Sequence, residues 1–277
     1  MILPSVNFHV TRACNARCSF CFATFRDVPD QLPLDDARRL VRALAAAGVE
    51  KLNFAGGEPT LHRGIGVLLR DSRELGVVTS IVSNGARMGA LLDHHAADLD
   101  WVGLSVDSAH EATEVALGRS RGRHVVDSLA LAARCRALGI RVKLNTVVSA
   151  LNADEDMSEF VRAMAPERWK VFQVLPMKGQ NDGSVEPLLI SADQFAVFVD
   201  RHRPLAAEGL GPIVEDNDAM RGSYAMIDPQ GRFFGNATGE HVYSRPILEV
   251  GVEAALAEVG VSASKFVQRG GVYAWNR

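Results

Sequence analysis

Several things are scarce in this chain, and each scarcity excludes a class of protein. Cysteine is one: there are four among 277 residues, three crowded into positions 14 to 21 and the fourth, Cys135, far away. That is no disulfide framework of the kind that staples small exported domains. Long apolar runs are another: none reaches the 18 or so residues of a bilayer span. Charge of one sign is a third. The net charge is only −3, so no nucleic-acid or membrane surface is expected and any polyanion site must be local. The residues ahead of Cys14 read as a strand, which leaves no room for a signal peptide or an amphipathic anchor. Repeats, low-complexity tracts and linkers are missing too. What remains is a globular chain, expected in the cytoplasm, 47% hydrophobic and 23% charged, long enough for one large core.

Short apolar runs alternate with helical stretches. Strands are expected at 5–11, 51–57, 78–85, 101–108, 141–149 and 168–177. Helices are expected at 35–48, 64–75, 87–98, 122–138, 156–165 and 191–202. Six strand–helix units imply parallel pairing and right-handed crossovers. Eight would close a full barrel; six predict an α/β fold with a partial (βα)6 barrel over 1–204. From about 205 to 277 the pattern changes to a C-terminal α+β extension of the same domain. Within it "SYAMIDPQGRFFG" (223–235) reads as a hairpin around Asp228-Pro229-Gln230-Gly231.

Cys14, Cys18 and Cys21 follow the first strand with C-x3-C-x2-C spacing. In a chain without export signals such a cluster is metal-binding or catalytic. Soft thiolates suit iron–sulfur clusters, zinc or copper. Three ligands on one tight loop would grip three corners of a cubane and leave the fourth iron open. A structural zinc completed by His9 or a distant group is the alternative, although such sites usually present two separated pairs.

Strand parity adds a second feature. Residues i and i+2 share a face, so Lys51 and Asn53, Lys143 and Asn145, Arg168 and Lys170, and Asn7 and His9 each point one way. Their neighbours, such as Leu52, Phe54, Leu144 and Trp169, suit packing against outer helices. The polar set then faces the barrel interior, where a full barrel keeps branched apolar side chains. Buried cations need anions. Either these residues reach solvent at the barrel's bottom, or the lumen holds a polyanion such as a triphosphate.

The cysteine loop, with Phe20 before its last cysteine, resembles the radical S-adenosylmethionine (SAM) superfamily. "EKLNFAGGEP", "SIVSNG", "LSVDS", "NADEDM" and "RWKVFQ" narrow the resemblance to its viperin family, from about residue 5 to the C-terminus. That resemblance implies a [4Fe–4S] cluster on Cys14, Cys18 and Cys21, its open iron chelated by SAM. It implies SAM contacts from Gly56, Gly57, Glu58, Asn84, Ser105 and Arg119, the last against the carboxylate. It implies triphosphate contacts from Lys51, Lys143, Arg168 and Lys170, with Asn7, Asn53 and Asn145 positioning the nucleotide. It assigns Tyr224 the late gift of a hydrogen atom, and Glu215 a place in the segment that orders over substrate. The implied activity removes the 4′-hydrogen and the 3′-hydroxyl of CTP or UTP. The product is a 3′-deoxy-3′,4′-didehydro nucleotide that terminates RNA chains, an antiviral chemistry. The implied partners are the nucleotide and an electron donor such as flavodoxin or ferredoxin, serving a monomer.

Some positions depart from the pattern of the family's animal members. Ala55 replaces a serine before the glycine pair, and Asn236-Ala237 replaces an asparagine–cysteine pair near the base. Cys135 reads as a small apolar core residue, Tyr224 equally as a packing side chain, and Asp107 as a group that orients backbone. The competing functions are another single-cluster radical SAM enzyme acting on a different phosphorylated substrate, a zinc-stabilised nucleotide-binding protein, and a regulatory partner protein. Enzymes with auxiliary clusters carry extra cysteines, and only Cys135 follows Cys21.

Overall fold

The computed structural model describes residues 3–275. Its centre is a curved parallel sheet of β1 (Ser5–His9), β2 (Lys51–Ala55), β3 (Val78–Ser83), β4 (Trp101–Ser105), β5 (Arg141–Val148), β6 (Arg168–Gln173) and β7 (Pro212–Glu215). They lie in sequence order, each paired with the next. Helices α1 (Leu34–Ala46), α2 (Ile65–Glu74), α3 (Met88–His95), α4 (Glu111–Ala116), α5 (His124–Ala137), α6 (Ser158–Met164) and α7 (Ala192–His202) make the crossovers.

Alternation on each strand explains the layering. Phe8, Leu52, Phe54, Val102, Leu144, Trp169 and Val171 are buried in one continuous core. That core includes Ala37, Leu40, Val41 and Leu44 from one face of α1. The opposite parity points inward, with Asn7 level with Asn53, Lys143 with Arg168 and Asn145 with Lys170. Among the described residues no helix is long and apolar enough to cross a membrane.

All six expected strand–helix units are present, each strand one to four residues shorter than its expected span. The segment after 204 differs from a simple cap. "PIVE" adds β7 as a seventh parallel strand beside β6. At the other edge β8 (Met226–Ile227) pairs parallel with β1, and β9 (Arg232–Gly235) pairs antiparallel with β8. The hairpin turn is where the sequence places it, with Gly231 N–H donating to the Asp228 carbonyl at 3.0 Å. β10 (Val242–Pro246) completes a ten-stranded sheet. The C-terminal quarter therefore extends both edges of the barrel, and the lumen is walled further round than six strands could manage.

Candidate active site

The cysteine loop sits at the C-terminal ends of the strands, clamped from two sides. Gly57 and Glu58 N–H groups donate to the Thr11 and Ala13 carbonyls at 2.7 and 2.8 Å. A Cβ on Gly57 would lie 2.4 Å from the Ala13 carbonyl oxygen. The glycine there serves the approach of protein backbone to protein backbone. On the other side Arg17 N–H donates to the Gly118 carbonyl at 2.9 Å. Gly118, at φ +79°, would place a Cβ 2.2 Å from the Arg17 carbonyl oxygen.

Cys14, Cys18 and Cys21 are free thiols on one wall of a cavity of about 320 Å³. Burial pushes all three thiols up, Cys18 to about 12, and Arg119 pulls each back. Such thiols ionise when a cation binds them. The donor set is sulfur only. Among the described residues no three His, Cys, Asp or Glu side chains are arranged to hold a single ion. His9, the imagined fourth zinc ligand, lies in an aromatic nest instead, 5.2 Å from Phe25 and 5.4 Å from Phe234, edge to face. Burial lowers its pKa to about 3. The residues present fit an iron–sulfur cluster with one corner facing the cavity, where Gly57, Ser105 and Arg119 line the wall.

Polar groups at this end are nearly all engaged. The buried Glu58 carboxylate accepts from Thr60 N (3.1 Å), Thr60 Oγ1 (2.6 Å), Ser83 Oγ (2.8 Å) and Asn84 N (2.8 Å). It ties the Gly-Gly segment to β3, with three of the four donors on Oε1 and one on Oε2. Asn84 Nδ2 donates to Asn15 of the cysteine loop at 2.8 Å. The Ser105 carbonyl accepts from His124 Nε2 at 2.8 Å. Asp107, fully buried, holds Arg119 Nε and accepts from Val147 N–H at 2.8 Å. It orients Arg119 and backbone. Glu114 lies behind it, raised to about 8 by burial and then by the Asp107 charge.

The opposite end is another environment. The chain has only five lysines, and three of them, Lys51, Lys143 and Lys170, are at most 9% exposed in this lumen. Arg168 and Arg269 line it with them. Lysine is almost never buried unpaired. Burial, then Arg141 and Arg168, lowers Lys51 to about 7. Burial and Lys51 push Lys143 well below its usual range. Lys170 falls to about 8 by burial, with Glu215 resisting. Two carboxylates stand behind the cations. Glu215 pairs with Lys170 and, at 3.6 Å, with Arg269. Asp100 accepts from Thr79 N–H at 2.8 Å and lies 3.9 Å from Arg73.

Between the ends, Asn7, Asn53 and Asn145 line the cavity, with Asn53 Nδ2 donating to Asn7 Oδ1 at 2.9 Å. Tyr224 Oη donates to Glu215 and accepts from Lys170 Nζ at 2.8 Å. The Arg269 guanidinium covers its ring at 3.5 Å. Asn236 also lines the cavity, but its Oδ1 already accepts from Gly222 N–H at 2.8 Å.

Every site residue expected from sequence thus belongs to one region, Glu215 from just behind its wall. Sequence reasoning missed Arg269 and Tyr273, which arrive from the C-terminal tail. Their only local signal is the Gly270-Gly271 pair, which lets the chain turn after the helix Ala263–Gln268.

Comparison with known proteins agrees with this arrangement. Residues 8–164 match the radical SAM superfamily. A protein of Lacinutrix mariniflava called S-adenosylmethionine-dependent nucleotide dehydratase is 43% identical over 99% of this chain, which spans 59% of that relative's length. One of the same name from Flammeovirga pacifica is 42% identical over 99% of this chain and 97% of its own. The S-adenosylmethionine-dependent nucleotide dehydratase RSAD2 of Danio rerio is 38% identical over 99% of this chain and 78% of its own. SuiB of Streptococcus suis, crystallised with S-adenosylmethionine, has the same barrel. It superposes with a TM-score of 0.67 at 18% identity, over 83% of this chain and 59% of that one. A cysteine triad with an open side and a lumen rich in buried lysine therefore belong to a radical SAM enzyme that uses a [4Fe–4S] cluster and SAM, and the chain is a member of the S-adenosylmethionine-dependent nucleotide dehydratase family, the viperin-like branch.

Proposed function

We propose that this enzyme converts a nucleoside triphosphate, CTP or UTP, to its 3′-deoxy-3′,4′-didehydro form. The observation that carries the proposal is the set of five cations facing the lower lumen, three of them buried lysines, with two carboxylates behind them. A polyanion supplies the missing charge. Lys51 and Ala55 lie four residues apart on β2, about 13 Å of strand rise. Phosphates at the lysine level leave the sugar beside the asparagines, below the cysteine loop.

When bound, the cluster and SAM supply a 5′-deoxyadenosyl radical that can take a hydrogen atom. In this reading Cys14, Cys18 and Cys21 hold three irons, and Arg119, fixed by Asp107, holds the SAM carboxylate. Gly57, Asn84 and Ser105 line the rest of that pocket, with Gly56 and Glu58 shaping its backbone. Lys51, Lys143, Arg168, Lys170 and Arg269 hold the phosphates. Asn7, Asn53 and Asn145 place C4′ of the ribose toward the radical. The C4′–H bond breaks, the 3′-hydroxyl leaves with one proton as water, and one electron completes the C3′=C4′ bond. Tyr224 supplies that electron together with the proton of the departing water, as a hydrogen atom, its phenol held between Glu215 and Lys170. An acidic one-electron carrier such as flavodoxin or ferredoxin restores it, docking on the exposed Arg12 and Arg17 beside Cys14 and on nearby Arg121. Four free thiols suit a reducing cytoplasm.

The test is anaerobic turnover with CTP, UTP, GTP and ATP offered separately. Mass spectrometry is expected to find 5′-deoxyadenosine together with a pyrimidine nucleotide lighter by one water. 5′-Deoxyadenosine without an altered nucleotide would overturn the substrate assignment.

A further inference from the structure

The cysteine loop has a third clamp, made of side chains from the loop between β6 and α7. Buried Asn181 donates from Nδ2 to the Phe20 carbonyl at 3.0 Å and to the Leu175 carbonyl at 2.9 Å. Its Oδ1 accepts from Met177 N–H at 2.7 Å. Ser184 Oγ donates to the Ser19 carbonyl at 2.8 Å. Gln180, 2% exposed, reaches the limb beyond Cys21. Its Oε1 accepts from Phe25 N–H at 2.7 Å and from Thr24 Oγ1 at 2.9 Å. Its Nε2 donates to Asp27 Oδ1 at 2.9 Å. The bonds to the cysteine loop therefore land on both sides of Cys21.

The limb they hold is bent in an unusual way. Among the described residues, Phe25 and Ala165 are the non-glycines with positive φ. Ala165 ends α6, whereas Phe25, at +51°, stands just past Cys21. A bulky residue keeps a left-handed backbone only where its surroundings over-determine it, and such places gather at functional sites. Here Gln180 takes the Phe25 N–H, and the ring is buried against His9 and Phe234. Ala23, between Cys21 and that bend, donates its N–H to the Cys21 sulfur and counters the effect of burial on the thiol. Hydrogen bonds to the sulfurs are one of the levers on an iron–sulfur potential. They favour the reduced cluster, which carries one more negative charge.

We propose that Gln180 is a positioning residue for the cluster: through Phe25 and Thr24 it fixes the limb beyond Cys21, keeps the Ala23 N–H on the Cys21 sulfur, and so raises the cluster's reduction potential. Asn181 and Ser184 brace the limb before Cys21. The cysteine spacing gives no hint of this brace, because Gln180 lies 155 positions from Phe25 in the chain.

Redox titration of the cluster-loaded full chain, read by electron paramagnetic resonance of the reduced cluster, tests this. Neither SAM nor nucleotide is added, so the outcome is independent of the substrate assignment. Gln180→Met keeps the side chain's length and removes the acceptor for Phe25 and Thr24. It is expected to move the midpoint potential to a more negative value and to shift the g values of the reduced cluster. SAM cleavage by this variant is expected to fall at a fixed mild reducing poise and to recover with a stronger reductant such as titanium(III) citrate. Thr24→Val removes one donor to Gln180 and is expected to move the potential the same way by less. Asp182→Ala, an exposed change in the same loop, is expected to keep the wild-type potential. A Gln180→Met protein with a lower Tm but the wild-type potential and spectrum would make Gln180 a plain structural brace and overturn the proposal. An equal shift in Asp182→Ala would overturn it too. If Gln180→Met holds no cluster, Thr24→Val decides, and an unchanged potential there contradicts the proposal.

Discussion

The two ends of one cavity are built on opposite electrostatic principles. At the cysteine end nearly every polar group has its partner in the protein: Glu58 takes four donors, and Arg119 is held by Asp107. At the tail end buried ammonium groups crowd one another, and Lys51 falls to about 7. A site finished in advance suits a cofactor of fixed geometry, whose radical must be aimed. An unfinished site suits a substrate, because its own charge completes the structure and binding energy goes where charge is missing. The comparison teaches that substrate class is carried by the imbalance, and reaction class by the balanced end.

The sharpest way to break the comparison is to damage one end and read the other. Cys18→Ala is expected to abolish SAM cleavage and the brown colour of the loaded enzyme, with triphosphate affinity by calorimetry changed less than about threefold. Loss of nucleotide binding as well would mean the two ends are one unit. The converse change, Lys143→Ala, removes one charge-assisted contact worth about 1.5–3 kcal/mol. It is expected to weaken triphosphate binding about ten- to hundredfold while 5′-deoxyadenosine still forms without substrate turnover. Normal affinity in that variant would contradict the inward-facing lysine.

A pH series sharpens the contrast with a smaller effect. Lys51 is lowered from 10.5 to about 7 and Lys170 to about 8, so between about pH 7 and 10.5 the unfolded chain binds more protons than the folded one. Stability of the free protein then rises with pH through that window. Bound triphosphate keeps the lysines charged, so the rise in Tm is expected to vanish with ligand. Triphosphate affinity is expected to fall as pH rises above about 7. A free protein whose Tm is flat from pH 7 to 9.5 would mean that the cations are already neutralised.

Much of this was legible because the signals are local. Period-two alternation told which residues of "KLNFA", "RVKLN" and "RWKVF" face the lumen, and the cysteine spacing and Gly-Gly-Glu-Pro sit at strand ends where barrel sites form. The rest depends on tertiary contact. β7 is four residues and β8 two, too short for a period to show. The ties of Glu58 to Thr60, Ser83 and Asn84 show only in the fold. Glu215 and Tyr224, nine positions apart, become partners only when β7 and the chain before β8 converge on Lys170. Arg269 and Tyr273 come from a tail with no periodicity, placed by what it touches.

Isotope transfer tests the central claim most directly. CTP and UTP carrying deuterium at C4′ would be turned over anaerobically and the 5′-deoxyadenosine weighed. If the lysine end sets the nucleotide so that C4′ faces the cysteine end, the 5′-deoxyadenosine gains one deuterium from the 4′-labelled substrate and none from a 3′-labelled one. Deuterium arriving from the 3′ position, or product forming without transfer from C4′, would contradict the account.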